Sequence, residues 1–397
     1  MLRIDPKTGK QKWYSTDGAK SVLSALISIL IGMTAGALLV VIVGLSKAEI
    51  TGNGIWEGIR LVFLGILSTG RDGGALTFGF NPVNMGNMLF RATPLIMTGL
   101  SVAVAFKTGL FNIGAPGQYL MGIAGTLSIA LTLGSNGCPV FIAWLAAFLG
   151  GMLLGALWGA IPGIFKAYLN INEVITCIMT NWISANLVTW WFDTHEVFKN
   201  SMEGGKIGYI IPLKNVGVVT PKMGMNVLFP GSQANGGFWI ACLIAAAMYI
   251  MMTKTTFGYE LRACGSNRHA AKYAGINDKK NIILSMMIAG ALSAAGASLY
   301  YLAGNTEFFW STYLSLPAEG FNGIPVALLA SNHPVAVIFS GLFMSMLNIC
   351  GTQLKSLTAY NEYIADIIIA VIVYLSAFSM FIKTLLNGAE KKKGGKK

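Results

Sequence analysis

Long apolar runs make up most of the chain, and short polar or Gly- and Pro-rich segments separate them. A helix that crosses the hydrocarbon core of a bilayer needs about 20 apolar residues. Two runs are arguable, 334–353 and 315–332, because polar residues or prolines interrupt them. Eight others are clear: 21–45, 88–106, 118–134, 139–165, 173–192, 237–253, 281–303 and 362–382. The pattern predicts an all-α polytopic membrane protein with broken segments.

Basic residues indicate which connections face the cytoplasm, because Lys and Arg are enriched in cytoplasmic loops. They concentrate in residues 1–20, in a central loop over residues 254–280, and in residues 383–397. These three segments share one side only if six spans precede the central loop and four follow it. That count requires the arguable run 315–332 to cross. We therefore predict about ten transmembrane helices with both termini in the cytoplasm.

The pattern also gives the domain organisation. A cytoplasmic segment, residues 1–20, precedes a membrane domain over residues 21–382, and a basic cytoplasmic tail, residues 383–397, follows it. The membrane domain has two long outer loops, 46–87 and 193–236.

The two outer loops differ in character. In residues 46–87, apolar positions around Trp56, Glu57 and Arg60 predict a short amphipathic helix at the outer surface. Residues 193–236 are rich in Gly, Pro and Asn, the composition of a loop that could contact a partner.

Composition and charge exclude two classes of protein. The chain is 54% apolar and 11% charged, whereas soluble domains carry about 25% charged residues. A water-soluble globule is therefore excluded. The net charge of +12 lies mainly in the three basic segments, so it indicates topology and attraction to anionic lipid of the inner leaflet rather than nucleic-acid binding.

Signatures of enzymes and metal sites are not found. The sequence has no phosphate-binding G-x-x-x-x-G-K-[ST] loop, no G-x-S-x-G elbow and no H-E-x-x-H motif. The five cysteines stand singly, without a C-x-x-C pair. We expect no catalytic residue, no metal site and no cofactor bound by this chain.

Two hydrophobic segments are broken by Gly and Pro, over residues 107–118 and 317–325, and each contains Phe-Asn followed by Gly. Irregular backbone within a membrane is tolerated where protein buries it or water reaches it, and paired interruptions indicate a transport pathway. The alternative is a tight turn between helices. The candidate residues for lining a route, which include one amide of the fifth run, are Asn112, Gly114, Gln118, Asn181, Glu319 and Asn322.

Other polar positions are typical of helix ends. Asn172 followed by Glu173 indicates an N-cap. In the central loop, Ser266 or Asn267 can cap a short helix and Gly275 can end it in the left-handed conformation. Ala270, Ala271 and Ala274 give that helix a small-residue face. Such a helix either docks in a groove of another protein or is an ordinary connection.

At these residues the sequence resembles a known family. Residues 258–276 are similar to the cytoplasmic coupling loop of the permeases of ABC importers, a family that includes ribose, branched-chain amino acid and nucleoside systems. Residues 93–118, 172–175 and 320–328 are similar to the nucleoside branch in particular. The resemblance extends over roughly residues 20–385. The sequence departs from the family at Ala115-Pro116 and near His269, where relatives often carry an acid.

The resemblance implies a function and a set of partners. The chain would be a non-enzymatic permease subunit of a bacterial plasma-membrane importer, most simply for nucleosides. A separate cytoplasmic ATPase would hold ATP and Mg²⁺, a second and distinct permease would pair with this chain, and an extracellular solute-binding lipoprotein would deliver the solute. The residues it implies for ATPase coupling are Glu260, Arg262, Gly265, Asn267, Ala270, Ala271, Tyr273 and Gly275. The alternatives are a permease for a sugar or another small polar solute, or an ion-driven secondary carrier.

Overall fold

A computed structural model describes residues 17–47, 50–200, 207–310 and 316–360, and a few positions from 367 to 384. The first sixteen residues, most of the predicted span 362–382 and almost all of the tail 383–397 lie outside the described residues. The described part contains thirteen α-helices and one antiparallel pair of strands. The helices are α1 Asp17–Ser46, α2 Gly52–Leu64, α3 Pro82–Lys107, α4 Ala115–Ser135, α5 Val140–Leu169, α6 Glu173–Thr194, α7 Met225–Leu228, α8 Gly237–Lys254, α9 Thr256–Ser266, α10 Arg268–Tyr273, α11 Asp278–Tyr301, α12 Ala318–Leu329 and α13 Pro334–Leu357, and the strands are β1 Ser68–Asp72 and β2 Ala75–Phe78.

The described helices agree with the apolar runs. Six of them are long and apolar enough to cross a membrane, namely α1 from Ile27, α3, α5, α8, α11 and α13. The runs 118–134 and 173–192 are also helical, as α4 and α6, whereas the broken run 315–332 contains only the 12-residue α12. The prediction of a mainly helical membrane protein is confirmed, and the number of ten crossings and the cytoplasmic termini stay predictions.

The first outer loop contains the predicted amphipathic helix and a hairpin that the apolar pattern did not indicate. Thr51 caps α2 by accepting a hydrogen bond from the Gly54 amide at 3.3 Å. Strands β1 and β2 follow it as an antiparallel pair. Gly73 and Gly74 join them with φ of 54° and 84°, a conformation that side chains disfavour.

The described residues fall into two compact units. The first unit contains the described residues within 1–84, 328–331 and 346–397. The second unit contains the described residues within 85–327 and 332–345. All the residues predicted to have a function belong to the second unit, which is described from here on.

Helices α4, α5 and α11 form the centre of this unit through small residues. A Cβ atom added to Gly122 of α4 would lie 2.6 Å from the Cα atom of Ala294 in α11. One added to Gly159 of α5 would lie 3.2 Å from the Cα atom of Gly290. Small residues let helix backbones approach closely in membranes, where van der Waals packing drives helix association. The three helices therefore have room for no larger side chain at these contacts.

The start of α5 contacts a predicted outer connection, and its end contacts a predicted inner connection. Near its start, Trp144 Nε1 donates to Thr220 Oγ1 of the second outer loop at 3.0 Å. Near its end, the Tyr168 ring lies 4.7 Å from the Nζ atom of Lys279 in the central loop. These two positions are roughly 36 Å apart along the helix at about 1.5 Å per residue. Predicted inner and outer loops therefore lie at opposite ends of this unit.

Candidate functional site

The first broken segment is a turn that connects α3 to α4. Helix α3 ends because Gly109 adopts a φ of +74°. The Leu110 amide bonds to the Ala105 carbonyl at 3.0 Å and the Gly109 amide to the Phe106 carbonyl at 3.1 Å, the pairing of a Schellman motif. Residues 108–114 are not helical, and we refer to them as the 108–114 turn.

Three predicted amides meet beside this turn, and we call Asn112, Gln118 and Asn181 the amide cluster. The side chains of Asn112 and Gln118 exchange two hydrogen bonds, of 2.8 and 3.1 Å. Asn181, from α6, accepts from the Gly117 amide at 2.9 Å and donates to the Ile113 carbonyl at 3.0 Å. The cluster therefore ties α6 to the turn and to the start of α4.

The amide cluster contacts protein and not solvent in this conformation. All three side chains are buried, and buried polar groups are stable when they are hydrogen-bonded. Gly114 allows the close packing, because a Cβ atom there would lie 3.0 Å from the Sγ atom of Cys177. That these residues line a route stays a prediction.

The second broken segment, α12, has two different faces. On one face, a Cβ atom added to Gly320 would lie 2.7 Å from the Pro116 nitrogen, and one added to Gly323 would lie 2.6 Å from the Thr98 carbonyl carbon. Helix α12 therefore lies directly on the start of α4 and the middle of α3. The opposite face, spaced as one helical stripe, is partly or fully exposed and consists of Ala318, Phe321, Asn322 and Pro325.

The polar side chains of α12 are available for binding. Asn322 makes no hydrogen bond to any residue that the structure describes. Glu319 is partly exposed. Phe321, 38% exposed, was not among the sequence candidates, although its spacing from Ala318 and Pro325 could have identified it.

The central loop contains two short helices, α9 and α10. The sequence predicted only the second, and its two ends lie where it was predicted to begin and end. Of the two candidate caps, Asn267 is the one used, since it accepts from the Ala270 amide at 3.0 Å. Gly275 ends the second helix with a φ of +81°. The same kind of cap is present at α6, where Asn172 accepts from the Val174 amide at 2.9 Å, as predicted.

Two polar contacts attach the central loop to the start of α11. Arg268 Nε lies 2.6 Å from the Asp278 carboxylate, and Asn281 Nδ2 donates to the Glu260 carboxylate at 3.0 Å. Burial, and after it the nearby Asp278 carboxylate, raises the pKa of the Cys264 thiol of α9.

The coupling candidates divide into an inward and an outward set. Ala271 is only 4% exposed and packs against the protein, whereas Tyr273 is 96% exposed. Gly265 contacts the backbone of the 108–114 turn, because a Cβ atom there would lie 2.8 Å from the Gly109 nitrogen. Glu260 is partly buried, and the remaining exposed candidates are Arg262, Asn267, Ala270 and Gly275.

Comparison with known proteins places these motifs in a family. A family model described as "Branched-chain amino acid transport system / permease component" matches residues 84–377. The chain is 32% identical to the guanosine ABC transporter permease protein NupP of Bacillus subtilis, over 94% of this chain and 97% of that protein. It is 34% identical to the nucleoside ABC transporter permease protein NupB of Lactococcus lactis, over 95% and 98%. A second guanosine permease of B. subtilis, NupQ, is 23% identical over 67% of this chain and 82% of its own length.

Proposed function

The chain belongs to the permease-component family of branched-chain amino acid transport systems, and we propose that it is the membrane subunit through which an ATP-driven importer moves nucleosides. It is a transport component and not an enzyme, because ATP is hydrolysed by a separate subunit in ABC systems. The proposal for nucleosides is supported by two relatives named for guanosine and nucleosides, each similar along almost its whole length.

The proposed complex contains four kinds of chain. B. subtilis has two guanosine permease proteins that both resemble this chain, one at 32% and the other at 23% identity, which supports pairing with a distinct second permease. The exposed outward set of the central loop is the proposed contact with the ATPase, which holds ATP and Mg²⁺. An extracellular solute-binding lipoprotein is proposed to deliver the solute at the bacterial plasma membrane, and the basic segments to contact anionic lipid.

The proposed position of the route rests on one observation, the exposed face of α12. Asn322 and Phe321 are exposed in part, and the Asn322 amide has no hydrogen-bond partner among the described residues. The side chains of the amide cluster are buried and bonded to one another or to backbone. An amide offers hydrogen bonds to the hydroxyl groups and the base of a neutral solute, and an aromatic ring stacks on a base. We assign this face, with Glu319 beside it, to the route.

Replacing Asn322 by Ala is expected to lower the maximal rate of guanosine uptake about 2- to 10-fold, because one hydrogen bond contributes about 0.5–1.5 kcal/mol. The half-saturation concentration should not change, since the binding protein sets it. Asn226→Ala, at an exposed position of α7, is the matched control. An unchanged rate at normal abundance would remove Asn322 from the route.

The function itself is tested by reconstituting the complex in liposomes and measuring uptake of labelled guanosine, uridine, ribose and glucose. We expect guanosine or uridine uptake that requires the ATPase, ATP and the binding protein, and that persists when ionophores abolish ion gradients. Uptake of the sugars alone would favour a sugar permease. Uptake by this chain without an ATPase would favour a secondary carrier and contradict the proposal.

A further inference from the structure

We propose that the 108–114 turn transmits movement of the central loop to the exposed face of α12, through two joints in which backbone meets backbone. This inference rests on the proposed function, because it assigns residues to the step that links ATP hydrolysis to the route. It concerns α3 and α4, which precede the central loop in sequence, and α12, which follows it. Two backbone joints and two hydrogen bonds carry it.

The first joint lies between the central loop and the end of α3. A Cβ atom on Gly265 would meet the carbonyl oxygen of Lys107, the carbonyl carbon of Thr108 and the amide nitrogen of Gly109. The contact is reciprocal, because a Cβ atom added to Gly109 would lie 3.1 Å from the Cα atom of Gly265. Displacement of α9 towards the turn therefore acts directly on main-chain atoms.

The turn extends from one end of the unit towards its middle, as its two hydrogen bonds to α11 show. Where the turn begins, the Thr108 hydroxyl accepts a hydrogen bond from Ser285 of α11 at 2.9 Å. Just after it ends, the Ala115 carbonyl accepts one from Ser293 of α11 at 2.7 Å. These two serines are about 12 Å apart along the helix axis.

The second joint lies between the start of α4 and α12. Gly320 packs on the backbone of Pro116, the second residue of α4, with its Cβ position 2.7 Å from the Pro116 nitrogen. The adjoining residues of α12, Phe321 and Asn322, are on the exposed face assigned to the route.

Neither joint contains a side chain that could rotate to absorb a displacement. Packed interiors transmit strain because they are dense and contain few voids, and the atoms in contact at these joints belong to the backbone or to the Pro116 ring. The amide cluster attaches the turn to α6, and the two joints lie at either end of the turn. We therefore describe Gly265, Gly109 and Gly320 as positioning residues.

The test adds one methyl group at the first joint in the assembled complex. In Gly265→Ala the added Cβ atom must displace the backbone at Lys107, Thr108 and Gly109. The exposed residues proposed to contact the ATPase are unchanged, so we expect the ATPase to co-purify and to hydrolyse ATP at its basal rate. Stimulation of ATP hydrolysis by the solute-loaded binding protein, and guanosine uptake, should both fall about 10-fold. Gly52→Ala is the control, because Gly52 is also helical but has nothing within 4 Å of its Cβ position.

Several results would overturn the proposal. If Gly265→Ala responds to the loaded binding protein and transports like the Gly52→Ala control, the joint transmits nothing. If the wild-type chain binds no ATPase at all, the proposed function itself is wrong. That result can be distinguished from failure of the joint, which is observed only in a complex that contains the ATPase. A purely structural role for Gly265 would lower complex assembly and basal hydrolysis together.

A measurement on the wild-type complex covers the case in which Gly265→Ala does not fold. Hydrogen exchange followed by mass spectrometry should show changed protection of the 108–114 turn when a non-hydrolysable ATP analogue binds. Residues 136–139, between α4 and α5 at the other end of the unit, serve as the reference segment. Equal exchange of the turn with and without the analogue would contradict the proposal.

Discussion

Replacing Tyr273 by Asp is expected to abolish co-purification of the ATPase and to lower nucleoside uptake about 30-fold or more. Tyr273 projects almost completely into solvent from α10, and exposed aromatic residues are often the anchors of protein interfaces, where loss of one costs about 2 kcal/mol or more. The backbone of α10 keeps its cap and its contact with α11, so the chain itself should fold.

Two variants make this result specific. Tyr273→Phe keeps the ring and should retain most of the uptake. Ala271→Arg places a charge on the buried side of the same helix, so it should lower the abundance of the chain in the membrane rather than detach the ATPase selectively. Normal co-purification and uptake with Tyr273→Asp would show that the ATPase docks elsewhere.

The second large effect is expected from replacing Asn181 by Ala, which should destabilise the chain by about 2–6 kcal/mol. The substitution leaves the Gly117 amide and the Ile113 carbonyl buried without the partners they have now, and each unpaired buried group costs about 1–3 kcal/mol. The apparent melting temperature of the purified complex should fall by several degrees, and uptake at equal abundance should fall about 10-fold.

Asn186 provides a control on the same helix. Its side chain donates to the Trp182 carbonyl at 2.8 Å but is exposed, so Asn186→Ala should change stability by less than about 0.5 kcal/mol. If Asn181→Ala melts and transports like Asn186→Ala, the hydrogen bonds of the amide cluster contribute little and the turn is held by other contacts.

Much of the fold could be predicted from local pattern. Apolar runs identify the long helices because membrane spans must bury every backbone polar group. The caps at Asn172 and Asn267 and the end at Gly275 were also predictable, since each depends on the residue itself and its nearest neighbours. The glycine-joined hairpin after α2 was not predicted, although Asp72-Gly73-Gly74 contains the residue types that favour a tight hairpin turn.

The candidate site was predicted as a set of residues but not as an arrangement. Sequence alone treated Asn112, Gln118, Asn181 and Asn322 alike, as amides that could offer hydrogen bonds. The structure separates them, since three are bonded to one another or to backbone and one is free among the described residues. The partners of Asn181 lie 64 and 68 positions away in the chain, and local spacing contains no information on these, whereas Asn112 and Gln118 are only six positions apart.

The glycine contacts among α4, α5 and α11 have a consequence for how such a chain changes during evolution. Helices this close cannot slide past one another without separating, so we expect their packed parts to move as one body. Parts that differ between permeases for different solutes must then lie outside this body, on surfaces such as that of α12. Selection can alter the solute by substitutions there, while any substitution that enlarges a residue such as Gly122 or Gly159 is removed because the helices no longer pack.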